Sequence, residues 1–228
     1  MPGRAACVRM DGVDEADVAS RVSQLLALDL QRVAVVLVDF QRDFCEPPGV
    51  AVGRAGTDAN ARTALRANAF AAEAAGLGVR VIYSQQVLDL DGLTERQRRW
   101  EADSRLCVAG SAGAELFVSP VPNARVVSKR RFDIWQSEEF LDALADWDID
   151  GLVIGGVELQ CCVLYAVLGA EERGFHYVVP QDLVSGIDRC ETTSNRVVRD
   201  YFRFVHPSPE SCSALLAGWR QRLADREY

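Results

Sequence analysis

The chain is organised around the stretch Leu152-Val153-Ile154-Gly155-Gly156-Val157-Glu158-Leu159-Gln160-Cys161-Cys162. Its apolar start predicts a buried strand, the two glycines predict a tight turn, and the pattern of residues 163–168 predicts a helix after them. Cys162 is therefore expected at the carboxyl end of a strand and in the first turn of a helix. A strand followed by a turn and a helix is typical of α/β folds.

A cysteine in this place has two interpretations. The amides and the dipole of a helix N-terminus favour negative charge, so the position favours the reactive thiolate over the thiol. Such help matters because an unperturbed thiol is mostly protonated at neutral pH. The alternative is a small buried cysteine that only packs in the core, which is the commoner role of free cysteines.

Outward from this stretch, apolar runs alternate with helical patterns along the chain. The run Val33-Ala34-Val35-Val36-Leu37-Val38 is continuous and rich in β-branched residues, which is typical of a strand buried on both faces of a parallel sheet. We expect six strands, at residues 33–38, 79–83, 125–128, 151–155, 175–179 and 203–205. We expect helices at residues 15–30, 57–76, 137–147, 162–173, 191–201 and 211–225, with Thr57 and Ser137 as N-caps.

These elements predict one α/β domain over residues 1–228, with residues 1–30 as an N-terminal arm and helix. The expected architecture is a doubly wound six-stranded parallel sheet in the order 3-2-1-4-5-6, with helices on both faces. Residues 84–123 are the least regular segment. We expect them to form a partly helical excursion over the carboxyl edge of the sheet that shapes a pocket.

Composition narrows the class of protein. No apolar run among the 228 residues approaches the ~18 that span a bilayer, and residues 1–10 lack the apolar core of a signal peptide. The net charge of −8 repels phosphate backbones, so we expect neither a nucleic acid nor a membrane as partner. Seven irregularly spaced cysteines argue against a disulfide framework and for the reducing cytoplasm. The sequence has two histidines, which gives little basis for a His-based metal site or a Ser-His-Asp triad.

Three reactive side chains follow predicted strands and should meet at one edge of the sheet. Asp39 follows the first strand, Lys129 the third and Cys162 the fourth. Ligands of doubly wound sheets bind at the carboxyl ends of the strands. Each residue alone has an ordinary explanation, since an aspartate caps turns, a lysine beside arginines is usually solvated and a cysteine packs in the core. Their joint appearance at one edge favours a site with a nucleophilic cysteine.

The segments that carry these residues resemble the isochorismatase-like cysteine hydrolases. They are Val38-Asp39-Phe40-Gln41-Arg42-Asp43-Phe44, Ser128-Lys129-Arg130-Arg131-Phe132-Asp133, and Gly156-Val157 through Cys162-Val163. They keep the family's order and approximate spacing, and the likeness covers about residues 31–206. The resemblance implies a hydrolase with Asp39, Lys129 and Cys162 as its catalytic triad. It selects Cys162 over Cys161 as the nucleophile, and it implies a homo-oligomer, a dimer or a tetramer.

The resemblance assigns further roles at the same edge. It implies a cis peptide bond between Val157 and Glu158, and an oxyanion hole formed there and by the backbone amides of Glu158 and Cys162. Glu158 is also expected to contact the small-molecule substrate, together with four other side chains: Gln41, Gln86, Arg131 and Trp135. For Trp135 packing at the rim of the site is the favoured alternative.

Departures from the family narrow the expected substrate. Nicotinamidase-like members bind a metal through an aspartate and histidines after the second strand, where this chain has Ser84-Gln85-Gln86-Val87-Leu88-Asp89. We therefore expect no metal, no other cofactor and a substrate other than nicotinamide. Glu158 and Leu159 replace the small residue and the threonine of many amidohydrolase members. A Glu158 carboxylate in the pocket would favour a cationic or N–H-bearing substrate over a simple carboxylate, whereas one that points to solvent would have no such effect.

The sequence favours a cytoplasmic cysteine hydrolase that cleaves a C–N bond of a small amide, carbamoyl or ureido compound through a thioester. Asp39 would take the thiol proton as Cys162 attacks the carbonyl group. The closest alternative is an isochorismatase-type vinyl-ether hydrolase, which uses Asp39 as general acid and needs no nucleophile. A catalytically silent binding or scaffold relative is the second alternative. The retained cysteine favours the amide hydrolase over the vinyl-ether hydrolase.

Overall fold

A computed structural model of the chain describes residues 15–47, 49–51, 58–101, 103–186, 194–205 and 209–226. Its strands are β1 (Val33–Val38), β2 (Arg80–Gln86), β3 (Arg125–Lys129), β4 (Gly151–Gly156) and β5 (His176–Val178). All neighbouring pairs are parallel, and the order in the sheet is β3-β2-β1-β4-β5. The predicted parallel α/β sheet is confirmed, and its winding reverses between β1 and β4, where such sheets bind ligands.

Helices cover both faces of the sheet. The α-helices of the described residues are α1 (Glu15–Ala27), α2 (Arg42–Cys45), α3 (Ala59–Gly76), α4 (Glu95–Glu101), α5 (Glu138–Asp146), α6 (Leu164–Glu172), α7 (Ser194–Val205) and α8 (Ser213–Arg226). The Ser137 hydroxyl accepts a hydrogen bond from the Phe140 amide and caps α5, as the sequence predicts. The other predicted cap, Thr57, lies outside the described residues. No helix in the described ranges has the length and apolar content to cross a bilayer.

Strand β1 separates two hydrophobic layers. Val35 contributes to the layer that contains residues of α3 and α8, including the buried Trp219. Val36 contributes to the opposite layer, together with Phe140 of α5 and residues of α6. All six residues of β1 are buried, which explains why the strand has no polar alternation.

The sixth strand predicted at residues 203–205 is wrong. These residues form the end of α7, and β5 is the last strand of the sheet in the described part of the chain. The physical reason is that a segment as short as Arg203-Phe204-Val205, with two apolar residues, cannot specify a strand when helical spacing leads into it. Val198 and Phe202, four residues apart, both pack in the layer of Val36, so the helical period accounts for the segment.

The excursion after β2 is partly helical, as expected, and it returns to the carboxyl edge of the sheet. Leu116 pairs with Gln41 just beyond β1, and the Phe117 amide donates to the Phe40 carbonyl oxygen. Within the excursion, α4 is the only α-helix that the described residues contain. This segment therefore lies against the residues that directly follow β1.

Candidate active site

Asp39 begins the site at the carboxyl end of β1. Its φ of 56° lies in the left-handed region, which aspartate tolerates better than most residues and which turns the chain sharply out of the strand. The carboxylate is fully buried, and its Oδ1 accepts a hydrogen bond of 2.7 Å from the Ser84 hydroxyl at the end of β2. The strand end and its neighbour thus fix the carboxylate before any ligand arrives.

Lys129 reaches this carboxylate across β2. Its Nζ donates to Asp39 Oδ2 at 2.6 Å and to the Arg131 carbonyl oxygen at 2.6 Å. Both ionic side chains have 0% exposure, so the pair is held in a dry environment. Burial acts to lower the pKa of Lys129, but the charge of Asp39 and the interactions of the ammonium with Asp39 and Cys162 outweigh burial and raise the pKa above its usual value. Lys129 is therefore a firmly protonated cation.

Cys162 comes from the turn after β4, and Gly156 allows the close approach. The Cβ of any other residue at position 156 would lie 2.4 Å from the Val38 carbonyl oxygen, and the φ of 144° also favours glycine. The chain then forms a π-helical turn, Leu159–Val163, before α6. Cys162 is 1% exposed, and its Sγ lies 4.0 Å from Gln86 Oε1.

The helix start favours a thiolate at Cys162, but burial of the resting site opposes it. Burial raises the pKa of the Cys162 thiol well above its usual value, and the charge of Asp39 and its hydrogen bond with the thiol act in the same direction. Lys129 lowers this pKa but does not overcome the other effects. The physical reason is that desolvation of a fully buried sulfur exceeds the help of a helix N-terminus. Cys162 is thus a neutral thiol beside an anionic acceptor.

Gln41 and Gln86 connect the two strand ends around the site. Gln41 donates through Nε2 to the carbonyl oxygens of Gln86 at 2.8 Å and Ala114 at 2.7 Å, and its Oε1 accepts from the Gln86 amide at 2.8 Å. Both donor hydrogens of Gln41 are therefore committed to the backbone. The Gln86 side chain, by contrast, lies beside the Cys162 sulfur, so its geometry suits the predicted substrate contact better.

Glu158 lies in the turn between β4 and Cys162. Its peptide bond with Val157 is cis. Its carboxylate is 7% exposed and accepts a hydrogen bond of 2.8 Å from Asn60 Nδ2 in the first turn of α3. The Glu158 side chain therefore points into the protein and not to solvent.

The backbone near Cys162 is ordered by hydrogen bonds. The Val157 amide donates to the Val38 carbonyl oxygen, and the Glu158 carbonyl oxygen accepts from the amides of Cys161 and Val163. This places Glu158 and Cys162 about one turn apart. The oxyanion role of the Glu158 and Cys162 amides stays a prediction.

Arg131 and Trp135 are both engaged by other parts of the protein. The Arg131 guanidinium is half-exposed and pairs with Glu101 of α4. Trp135 is buried, donates from its indole nitrogen to the Ala166 carbonyl oxygen at 3.1 Å, and packs edge-on against Phe140. This geometry indicates a packing role for Trp135 and gives its predicted substrate contact no support.

Sequence reasoning missed two residues of this site. Ser84 holds the Asp39 carboxylate, and the signal was its place opposite Val38 at the end of the neighbouring strand. Asn60 binds Glu158, and the signal was a buried amide in an otherwise alanine-rich helix.

The residues present do not suit a metal of the nicotinamidase kind. Ser84, at the strand end where those relatives have their metal ligands, instead bonds Asp39, and Gln86 lies beside the sulfur. Across the described ranges, no group of three or more His, Cys, Asp or Glu side chains could hold a metal ion.

Comparisons with known proteins agree with this architecture. A cysteine hydrolase from Pseudomonas syringae pv. phaseolicola 1448A superposes with a TM-score of 0.73 at 17% identity, over 85% of this chain and 95% of that chain. N-carbamoylsarcosine amidase from Thermoplasma acidophilum superposes with a TM-score of 0.61 at 21% identity, over 78% of this chain and 94% of that chain. Nicotinamidase PncA from Bacillus subtilis superposes with a TM-score of 0.62 at 19% identity, over 78% of this chain and 98% of that chain. At these identities the likeness shows the fold alone.

No curated protein sequence matches the chain significantly. The isochorismatase domain family, however, matches residues 33–207, which are most of the chain and include Asp39, Lys129 and Cys162. The chain therefore belongs to the isochorismatase family of hydrolases.

Proposed function

We propose that this protein is a cysteine hydrolase that cleaves the C–N bond of a small amide, carbamoyl or ureido compound. The observation that carries the proposal is the convergence of a buried carboxylate, a buried ammonium and a buried thiol from three strand ends. Membership of the isochorismatase family supports a hydrolase, and amidases such as N-carbamoylsarcosine amidase share the fold. The proposal includes no metal and no cofactor.

In the first half of the proposed reaction, Asp39 removes the thiol proton as the Cys162 sulfur attacks the substrate carbonyl carbon. The negative charge moves to the carbonyl oxygen, which the backbone amides of Glu158 and Cys162 receive. The C–N bond then breaks, the protonated Asp39 gives its proton to the leaving nitrogen, and a thioester remains on Cys162. Lys129 stays protonated throughout and stabilises the negative charge that passes between Asp39 and the sulfur.

In the second half, Asp39 removes a proton from water as the water oxygen attacks the thioester carbonyl carbon. The C–S bond breaks, the acid product leaves, and the proton returns from Asp39 to the sulfur. Asp39 therefore acts as base twice and as acid twice. The raised pKa of the Cys162 thiol fits this sequence, because the sulfur is neutral whenever no substrate is bound.

The test is ammonia release from a panel of small amide, carbamoyl and ureido compounds. The wild type is expected to hydrolyse members of the panel, and Cys162→Ala is expected to lose at least about a thousandfold in kcat/KM. Cys161→Ala is the matched control, because it removes the neighbouring and more exposed thiol and should retain most activity. Hydrolysis that survives in Cys162→Ala would exclude the thioester route.

A vinyl-ether hydrolase is the second candidate, and the high pKa of the Cys162 thiol is the observation that favours it. In that reaction Asp39 protonates the substrate and the sulfur takes no part. The same Cys162→Ala variant separates the two, because vinyl-ether hydrolysis should survive the substitution whereas amide hydrolysis should not. A silent relative would hydrolyse neither class, and its Cys162 would react with iodoacetamide no faster than its other cysteines.

A further inference from the structure

The cluster formed by Glu158, Asn60 and the end of α2 has an orientation that hydrogen bonding determines. Asn60 Nδ2 donates to the Phe44 carbonyl oxygen at 3.0 Å and to Glu158 Oε1 at 2.8 Å. Both partners are acceptors only, so the Asn60 amide cannot be reversed without losing both bonds. Its oxygen, Oδ1, must therefore point away from them.

Asn60 Oδ1 is an acceptor without a donor. The residue is 1% exposed, and none of the described residues donates a hydrogen bond to this oxygen. Buried acceptors in native proteins nearly always have a partner. The Asn60 oxygen and the neighbouring Glu158 carboxylate are thus two acceptors in one place, and together they suit a group that brings N–H donors.

The backbone of Glu158 is bonded to the turn that carries Cys162. The Glu158 carbonyl oxygen accepts from the amides of Cys161 and Val163, the two residues on either side of Cys162. After burial, the negative charge of Glu158 is the next cause that raises the pKa of the Cys161 thiol. The Glu158 carboxylate therefore acts electrostatically on Cys161, the residue next to the proposed nucleophile.

We propose that Glu158 and Asn60 form a specificity subsite that selects substrates with N–H donors or a positive charge next to the reacting carbonyl group, and rejects those with a carboxylate there. This inference rests on the proposed function and names its substrate class. It follows from the acceptors of the subsite, because an anionic group would meet like charge and a lone pair, whereas an ammonium, guanidinium or ureido group would meet two acceptors.

The first test measures the charge preference at Cys162 and needs no turnover. Aminoethyl and sulfonatoethyl methanethiosulfonate, a cation and an anion of similar size, are compared for their rates of modification of Cys162 in a Cys161→Ser background. The ratio of the cationic rate to the anionic rate is expected to fall about tenfold or more in Glu158→Gln. Glu158→Asp, which keeps the charge, should restore most of the ratio.

The control is Glu172→Gln, which removes an exposed carboxylate from α6 and changes the net charge equally. It is expected to change the ratio by less than about twofold, because solvent screens an exposed charge. An equal change of the rate ratio in Glu158→Gln and Glu172→Gln would overturn the proposal. Glu158 would then have only a structural role, as the hydrogen-bond acceptor for Asn60 of α3.

A second measurement uses the unsubstituted protein, so it does not depend on how a variant folds. Methylguanidinium and methylurea are expected to protect Cys162 from alkylation by iodoacetamide, whereas acetate is expected to give no protection. Protection by acetate alone would overturn the proposal.

A third measurement separates this inference from the proposed function. Amides of equal length that end in an ammonium or a carboxylate are compared by kcat/KM, and the wild type should prefer the ammonium. Hydrolysis that depends on Cys162 but not on Glu158 would refute the subsite and leave the cysteine hydrolase intact. A charge preference that depends on Glu158 without amide hydrolysis would retain the subsite and refute the proposed reaction.

Discussion

The buried ion pair gives the sharpest prediction about stability. Asp39→Asn keeps the shape of the side chain and an acceptor for Ser84, but it leaves the Lys129 ammonium in a site where both ionic side chains have 0% exposure. The other partners of the ammonium are the neutral Arg131 carbonyl oxygen and the Cys162 thiol. Removal of one partner of a buried ion pair costs about 3–5 kcal/mol, so we expect the free energy of unfolding at neutral pH to fall by that amount.

The same substitution should reverse the pH dependence of stability on the alkaline side. In the wild type the pKa of Lys129 is raised, so its contribution is complete below the ordinary lysine pKa and is lost as the pH rises through the raised value. In Asp39→Asn burial dominates, and we expect the pKa of Lys129 to fall below the ordinary lysine value. The folded state then binds fewer protons than the unfolded state between the two values, so the stability of the variant should rise with pH there.

Urea unfolding of Asp39→Asn, Lys129→Met and the double variant measures the effect. The double variant should recover much of the loss, because it leaves no unpaired buried charge. Glu95→Gln is the matched control: it removes a pair with Arg99 whose side chains are 89% and 73% exposed, and it should cost less than about 1 kcal/mol. An Asp39→Asn variant that loses no more stability than this control would refute the reasoning.

Three further predictions concern packing and the thiol. Gly156→Ala should lower the free energy of unfolding in urea by at least about 2 kcal/mol, because the new Cβ would lie 2.4 Å from a backbone oxygen of β1. The control Gly76→Ala has open space around its new Cβ and should be neutral or stabilising. Trp135→Ala should lower the free energy of unfolding by about 3–5 kcal/mol, because it removes a large buried side chain. Trp135→Phe should leave KM unchanged, and an increase in KM would indicate that Trp135 contacts the substrate. The alkylation rate of Cys162, followed by mass spectrometry, should still increase at pH values where the rates of ordinary thiols no longer change, because its pKa is raised. Asp39→Asn should shift this increase to lower pH.

The sheet could be predicted where local pattern and tertiary environment agree. Residues 33–38 are continuous, β-branched and buried on both faces, so only a central parallel strand suits them. Residues 203–205 offered only two apolar residues after an arginine, and they continue α7. The difference lies in length, because a short apolar run is equally compatible with a helix face.

The candidate site could be predicted to the level of which residues meet, and not to the level of their charge states. Parallel topology brings Asp39, Lys129 and Cys162 to one edge whatever their exact orientation. The protonation of the sulfur depends on how completely the surrounding structure excludes water, which no local pattern contains. Burial raises the thiol pKa against the expected thiolate for this reason. Ser84 was missed for a related reason, since a serine at a strand end has no distinctive spacing.

The charge balance of the resting site explains why a neutral thiol is compatible with a nucleophile. Asp39 and Lys129 cancel each other, so the buried site carries no net charge while Cys162 is protonated. A permanent thiolate would add an uncompensated anion to a fully buried site, which is strongly unfavourable. In the proposed reaction, the proton moves to Asp39 as the sulfur attacks the substrate carbonyl carbon, and the negative charge passes to the carbonyl oxygen and its expected amide donors. On this proposal the buried site develops an uncompensated charge only during the reaction, and a substitution that leaves Lys129 unpaired should impair both folding and the reaction.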